Sequence, residues 1–215
     1  MVDPTYNPGV FAVGSIEQAK SIILTPEDST TEARWRNETG YLVDLIESRV
    51  ALNPASVVLD YGCGIGRIAG ELIGRTECTV IGVDISPDMR VLATRYVKSE
   101  RFSACSPEVF DSLIRAGMRV DAAISIWVLQ HSVEPAIDIS RVADALGPQG
   151  SFFLVNNLRR AVPTVSHGWF DDGLDVKEMV SDACVLVEEG LLDAEKTTPQ
   201  VARHCYWAHF QKRSR

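Results

Sequence analysis

Long apolar runs are missing from this chain. No stretch approaches the ~18–20 consecutive apolar residues that a membrane-spanning helix needs. Met1-Val2-Asp3-Pro4 shows no basic region followed by an apolar one, so a secretory leader is not expected. Paired cysteines are missing too. Cys63, Cys78, Cys105, Cys184 and Cys205 are scattered, odd in number and without a C-x-x-C spacing, which argues against a disulfide framework or a zinc site. Basic charge is scarce: 21 Lys and Arg face 29 Asp and Glu, a net charge of −8 at pH 7, where a nucleic-acid binder usually carries a basic face. The expectation is a soluble, cytoplasmic protein with neither membrane nor nucleic acid as a partner. At 215 residues and 46% hydrophobic composition, the chain can bury a sizeable core.

What the chain does have is the stretch Val57-Val58-Leu59-Asp60-Tyr61-Gly62-Cys63-Gly64-Ile65-Gly66. Apolar β-formers end in an acid, and alternating glycines lead into Arg67-Ile68-Ala69-Gly70-Glu71-Leu72, so a buried strand, a tight turn and a helix start are predicted. Glycine at every second position lets a ligand approach bare backbone, and the helix start presents unpaired N–H groups to it. This is a cofactor loop. Gly64-Ile65-Gly66-Arg67-Ile68-Ala69 fits the dinucleotide fingerprint G-x-G-x-x-G/A, with Asp84 as the ribose acid. Asp60 argues the other way. A carboxylate there would repel a diphosphate and suits a ligand carrying an ammonium and a sulfonium, as S-adenosylmethionine does.

Along the chain, a turn at Asn7-Pro8-Gly9 and a short helix from Ser15 to Ile23 are expected first. Thr25-Pro26-Glu27-Asp28 and Ser29-Thr30-Thr31-Glu32 are two helix-start signatures, and apolar spacing predicts a helix from Glu32 to Val50. Strands are predicted at Ser56–Asp60, Thr79–Asp84, Arg101–Cys105, Val120–Ile126 and Ser151–Asn156. Helices lie between them, with Ser86-Pro87 and Ser106-Pro107 as cap-then-proline starts. That alternation predicts a parallel, doubly wound sheet with ligands at the strand C-termini. Leu158–Gly173 reads as an irregular, functional loop, and Asp175–Glu189 as a helix. Leu191–Thr197 and His204–Phe210 read as two strands joined at Thr198-Pro199-Gln200, close enough to pair antiparallel. The expected fold is α/β: a mostly parallel seven-stranded sheet, helices on both faces, and a C-terminal antiparallel strand pair.

The D-x-G-x-G-x-G arrangement from Asp60 resembles motif I of the class I S-adenosylmethionine-dependent methyltransferases of small-molecule type. The Asp84 strand end and Trp127-Val128-Leu129-Gln130-His131 also resemble segments of that family. The resemblance runs from about Thr39 to the C-terminus. It implies a methyltransferase domain over residues 39–215, preceded by an N-terminal lid or cap over residues 1–38. It implies S-adenosylmethionine as cofactor and S-adenosylhomocysteine as product. It places Asp60, Tyr61, Gly62, Gly64, Gly66, Asp84, Ile85, Cys105, Ser106, Ile126 and Trp127 around that cofactor. Asp84 would take the ribose hydroxyls. Related enzymes often carry an acid after the third strand, toward the adenine amino group; here stand Cys105 and Ser106.

Methyl transfer from a sulfonium is an in-line displacement that needs an aligned acceptor, and a base only where the acceptor must lose a proton. His131 is the candidate base, with a structural histidine at the strand-to-helix turn as the alternative. Trp35 and Arg36, on the helix that the resemblance places over the cofactor mouth as a lid, and His167 and Trp169, in the long loop, are candidate acceptor contacts. The fourth strand lacks the N-P-P-Y or D-P-P-Y of nucleic-acid amino methylases, and Asn156-Asn157 is not a metal-site D-N pair. A small-molecule acceptor and no metal are therefore expected. A nicotinamide-dependent oxidoreductase and a non-catalytic S-adenosylmethionine-binding protein are the two rival functions.

Overall fold

The computed structural model describes residues 5–26 and 29–213. The second half of the first helix-start signature, Glu27-Asp28, lies outside the described residues. Before the sheet come a 3-10 turn at Pro8–Phe11, helix α1 (Ile16–Ile23) and helix α2 (Thr31–Glu47). Ser15 caps α1 by accepting from the Gln18 N–H, and Thr30 rather than Ser29 caps α2 by accepting from the Ala33 N–H.

The central sheet is laid down as β1 (Val57–Tyr61), α3 (Arg67–Thr76), β2 (Thr79–Val83), α4 (Pro87–Val97), β3 (Phe102–Cys105), α5 (Pro107–Arg115) and β4 (Val120–Ile126). A 3-10 turn at Leu129–His131 leads to α6 (Pro135–Ala145) and β5 (Leu146–Asn157). After a small hairpin of β6 (Val162–Thr164) and β7 (Gly168–Phe170) come α7 (Val176–Ala183), β8 (Cys184–Leu191), α8 (Pro199–His204) and β9 (Cys205–Lys212). The strand order is β3-β2-β1-β4-β5-β9-β8, with β6 and β7 in a separate antiparallel pair. The first five strands are parallel, and β9 pairs antiparallel with both β5 and β8. The chain doubles back between β1 and β4, and in such sheets the crevice at that reversal is where ligands bind.

Alternation along β1 sends successive side chains to opposite faces. Val58 packs with Leu42, Ile68 and Leu72 under α2 and α3, whereas Leu59 packs with Phe110, Ile139 and Val142 under α5 and α6. A third cluster of Val13, Leu24, Trp35, Ile65 and Met89 fastens α1 and α2 over the glycine loop.

The parallel half and the antiparallel ending agree with expectation, but the last third differs in its elements. The helix predicted over Asp175–Glu189 stops at Ala183, because Cys184-Val185-Leu186-Val187 is a β-branched-rich run that pairs with β9. The strand expected at Leu191–Thr197 is instead mostly a turn around Asp193. Its side chain accepts from the Glu195 N–H, and its carbonyl accepts from the Thr197 hydroxyl. Thr198-Pro199 is not a strand-joining turn either. Thr198 caps α8, with Pro199 in its first turn. The long loop expected at Leu158–Gly173 contains the β6–β7 hairpin, and buried Arg160 ties its base to the Leu129 and Ser132 carbonyls and to Asp172.

Candidate cofactor and acceptor cavity

At the β1–β4 reversal a cavity of about 960 Å³ opens over the strand C-termini. Tyr61, Gly62, Gly64, Asp84 and Ile85 line one side, and Ile126, Trp127, Val128, Gln130 and His131 line another. Tyr6, Phe11, Ile22, Ile23 and Leu24 from the segment before the sheet, and Trp169, Gln200 and His204 from later in the chain, also line it. The first described residues are zipped to the hairpin. The Asn7 N–H donates to the Pro163 carbonyl and the Val165 N–H to the Thr5 carbonyl, each at 2.9 Å.

The glycine loop fits its neighbours closely. Gly62 has φ +77°, and a Cβ there would lie 2.2 Å from a Val128 methyl. Gly64 has φ +53°, and a Cβ there would lie 2.8 Å from Ile23 Cδ1. Gly66 caps α3 through its left-handed backbone alone, with no side-chain cap. Cys63 is packed filler beneath the loop, with its thiol pushed well above the ordinary range by burial.

Asp60 sits beneath this loop, 3% exposed, rather than on the cavity wall. Its Oδ2 is buried without a hydrogen-bond partner. Desolvation and the neighbouring Asp84 carboxylate push its pKa up to about 7, against the opposing pull of Arg67 and the Ala69 N–H. Asp84 does line the cavity, its Oδ2 accepting from the Gly64 N–H at 2.8 Å and its Oδ1 from the Ser86 N–H at 2.9 Å. Burial raises its pKa; those two N–H groups and Arg90 oppose the rise.

Trp127 carries a left-handed backbone, φ +56°, costly for an aromatic residue and of the kind that clusters at functional sites. Its N–H donates to the Val155 carbonyl at 2.7 Å, its indole N–H to Cys205 Sγ at 3.4 Å, and the guanidinium groups of Arg67 and Arg34 lie 5.6 and 6.0 Å from its ring. His131 lies between Phe11 and Trp169, at ring separations of 6.0 and 5.1 Å. Trp169 is exposed at the rim.

The other candidates lie elsewhere. Trp35 is buried, its indole N–H donating to the Tyr96 hydroxyl at 3.0 Å. Arg36 is exposed and outside the cavity wall. His167 is exposed at the hairpin turn against Ser166. Cys105 and Ser106 are partly buried just behind the wall, which Pro107 and Glu108 form instead; Ser106 caps α5. Helix α2, expected to lie over the mouth, packs against α3 and supplies only Arg34 to the wall.

Several wall residues were not singled out from the sequence. Arg34 forms a bidentate pair with buried Glu38 (2.6 and 3.0 Å) and donates to the Thr25 carbonyl. Their i, i+4 spacing on the face that also carries Leu42 was the available signal. The Tyr61 hydroxyl meets Asp138 (2.5 Å) and Arg141 (2.7 Å), and Arg141 also pairs with Asp111. Among the described residues, no group of three or more His, Cys, Asp or Glu is placed to hold a metal, and no helix is long and apolar enough to cross a membrane.

A doubly wound sheet with a glycine loop and an acid at its reversal defines a Rossmann-like cofactor-binding protein. Residues 58–150 match the family described as a methyltransferase domain. That match takes in the glycine loop, Asp84 and the strands as far as the start of β5, and the antiparallel β8–β9 ending lies outside it. The chain is 28% identical over 97 residues to the ubiquinone biosynthesis O-methyltransferase of Methylobacterium sp. (strain 4-46), covering 45% of this chain and 39% of that one. It is 24% identical over 193 residues to the tRNA U34 carboxymethyltransferase of Methylococcus capsulatus, covering 84% and 59%. The chain thus spans between about two fifths and three fifths of the length of these two relatives. The N-methyltransferase NodS of Bradyrhizobium japonicum WM9, solved with S-adenosyl-l-homocysteine, superposes with a TM-score of 0.60 at 17% identity, covering 83% and 87%.

Proposed function

We propose that this chain is an S-adenosylmethionine-dependent methyltransferase acting on a small-molecule acceptor. The observation that carries the reading is Asp60: a buried carboxylate with an unpartnered oxygen under a glycine loop, beside a second acid, Asp84. Two acids around the loop suit a ligand carrying an ammonium and a sulfonium and oppose a diphosphate, which disfavours the nicotinamide alternative. Gly62 and Gly64 line the cavity beside Asp84, which faces it for the ribose, and Ile85, Ile126 and Trp127 supply apolar walls. The bound cofactor supplies a methyl group on an already activated sulfur.

The chain's own residues then hold the acceptor in line and exclude water. We assign residues 1–38 the part of a lid or cap, supported by Tyr6, Phe11, Ile22, Ile23 and Leu24 lining the cavity. His131 is the side chain placed to exchange a proton with the acceptor, and Trp169 and Phe11 flank it. The charge of the wall supports a small molecule over a nucleic acid. Among the described residues it contains no lysine, and its arginines there, Arg34 and Arg141, are committed to Glu38 and to Asp111 and Asp138. Phosphate recognition would need free cations there. The test is to incubate the chain and a radiolabelled methyl donor with metabolite pools and, separately, with bulk tRNA. Label in a small-molecule fraction supports the reading. Label in tRNA overturns the acceptor class, and tight donor binding with no transfer to either favours the non-catalytic alternative.

A further inference from the structure

Gln130 is 3% exposed and lies on the cavity wall. Its side-chain oxygen accepts from the Asn157 backbone N–H at 2.7 Å, a bond with only one possible polarity. The amide nitrogen therefore occupies the other end, 3.1 Å from His131 Nε2, and donates to it. Across the ring, His131 Nδ1 lies 2.6 Å from the Ala161 carbonyl oxygen, which only accepts. Two backbone groups thus dictate the state of the imidazole: the proton is on Nδ1 and the lone pair on Nε2. Gln130 is fixed in turn, its own N–H donating to Asn156 Oδ1 at 3.1 Å and its carbonyl accepting from the Ala161 N–H at 2.9 Å.

We propose that Gln130 is the positioning residue of the acceptor site: it holds His131 as the neutral Nδ1–H tautomer and occupies the Nε2 lone pair that an acceptor's O–H or N–H takes over. The inference rests on reading this cavity as a methyl-transfer site. A base must offer an unprotonated lone pair toward its substrate, and Nδ1, spent on Ala161, has none to offer. The Gln130 N–H is a neutral donor standing where the acceptor hydrogen would come. When the acceptor displaces it, the acceptor's X–H bond breaks, the proton passes to Nε2, and the electron pair left on X would form the new bond to the methyl carbon as that carbon's bond to sulfur breaks and its pair leaves on the sulfur.

Gln130 also opposes premature protonation, because an Nε2–H would face the amide N–H donor to donor. Burial works in the same direction, lowering the His131 pKa, as does the Arg160 guanidinium; the Ala161 carbonyl opposes them. Arg160 is the charged group facing the ring, and it is itself paired with Asp172; Phe11 and Trp169 contribute uncharged rings.

The test is long-range proton–nitrogen correlation spectroscopy of the imidazoles in the labelled chain, with His131 assigned by the signal lost in His131→Asn. The parent is expected to show the Nδ1–H tautomer and a titration midpoint below that of an ordinary histidine. In Gln130→Glu the carboxylate still accepts from the Asn157 N–H and now also accepts from a protonated Nε2. The midpoint should therefore rise by at least about one pH unit. An Nε2–H tautomer in the parent, or an unmoved midpoint in a folded Gln130→Glu, overturns the proposal; the parent tautomer decides it alone if the variant does not fold. Thermal stabilisation by adenosylhomocysteine is read on the same samples. Its absence from the parent would overturn the methyl-transfer reading and leave the tautomer result standing.

Discussion

Gly62 and Val128 are in such close register that one added methyl group would bring their side chains to 2.2 Å. The contact joins the glycine loop after β1 to the segment after β4, the two sides of the sheet reversal. Gly62→Ala is therefore expected to destabilise the chain twice over. Positive φ on a residue with Cβ costs roughly 1–2 kcal/mol, and the overpacking adds about 1–3 kcal/mol. At ~2–4 °C per kcal/mol, the melting temperature should fall by roughly 5–15 °C. Adding Val128→Ala should restore only the packing part. An unchanged melting temperature for Gly62→Ala would contradict the geometry.

Asp60 makes stability and binding depend on pH in opposite directions. Its folded-state pKa of about 7 lies above the ordinary 3.8, so the folded chain prefers the protonated form. The stability tied to that proton is complete below about pH 3.8 and is lost as the pH rises through about 7. Asp60→Asn should raise the melting temperature of the unliganded chain at pH 8 and lose that advantage toward pH 4. A cationic ligand favours the charged carboxylate, so S-adenosylmethionine affinity in the parent should climb between pH 6 and 8, by at most about tenfold per unit for one linked proton. The climb should flatten in Asp60→Asn and be shallower for adenosylhomocysteine, which lacks the sulfonium. Equal pH slopes for parent and variant in calorimetric titrations would remove Asp60 from this role.

Asp84→Ala removes the acceptor of the Gly64 and Ser86 N–H groups together with the acid assigned to the ribose. Two hydrogen bonds to a charged group, at ~1.5–3 kcal/mol each, imply a loss of adenosylhomocysteine affinity on the order of 100-fold or more. Affinity within threefold of the parent by calorimetry would refute the ribose assignment.

Arg34 tests whether a buried ion pair also serves the ligand. Arg34→Ala leaves Glu38, 1% exposed, without its partner and should cost about 3–5 kcal/mol. The double change Arg34→Met with Glu38→Met should return close to parental stability, since an apolar pair of similar volume is often neutral. If Arg34 contributes to cofactor binding from the cavity wall, the double variant should still bind adenosylhomocysteine at least tenfold more weakly. Parental affinity there would make the pair purely structural.

The readable parts of the sequence were those whose signal is local. The Asp60–Gly66 loop announces itself because backbone freedom and close packing need glycine at fixed positions. Ser86-Pro87 and Ser106-Pro107 start helices because cap chemistry is a matter of adjacent residues. The less readable parts depend on distant partners. The sequence points to Arg36, yet it is Arg34 that reaches the cavity, because helix α2 turns the two residues to different faces. The run Cys184-Val185-Leu186-Val187 could extend a helix or start a strand, and pairing with β9 decides for the strand. The environment of His131 comes from Ala161 and Gln130, the latter set by Asn157, contacts that no spacing in the sequence prefigures.

The central claim is that one buried acid, Asp60, and one cavity-lining acid, Asp84, suit this loop to a cationic sulfur donor and not to a diphosphate. Parallel calorimetric titrations of the chain with S-adenosylmethionine and with NADH test it most directly. Saturable one-site binding of S-adenosylmethionine, with no heat from NADH at the same concentrations, is the predicted result. Binding of NADH with none of S-adenosylmethionine would contradict it.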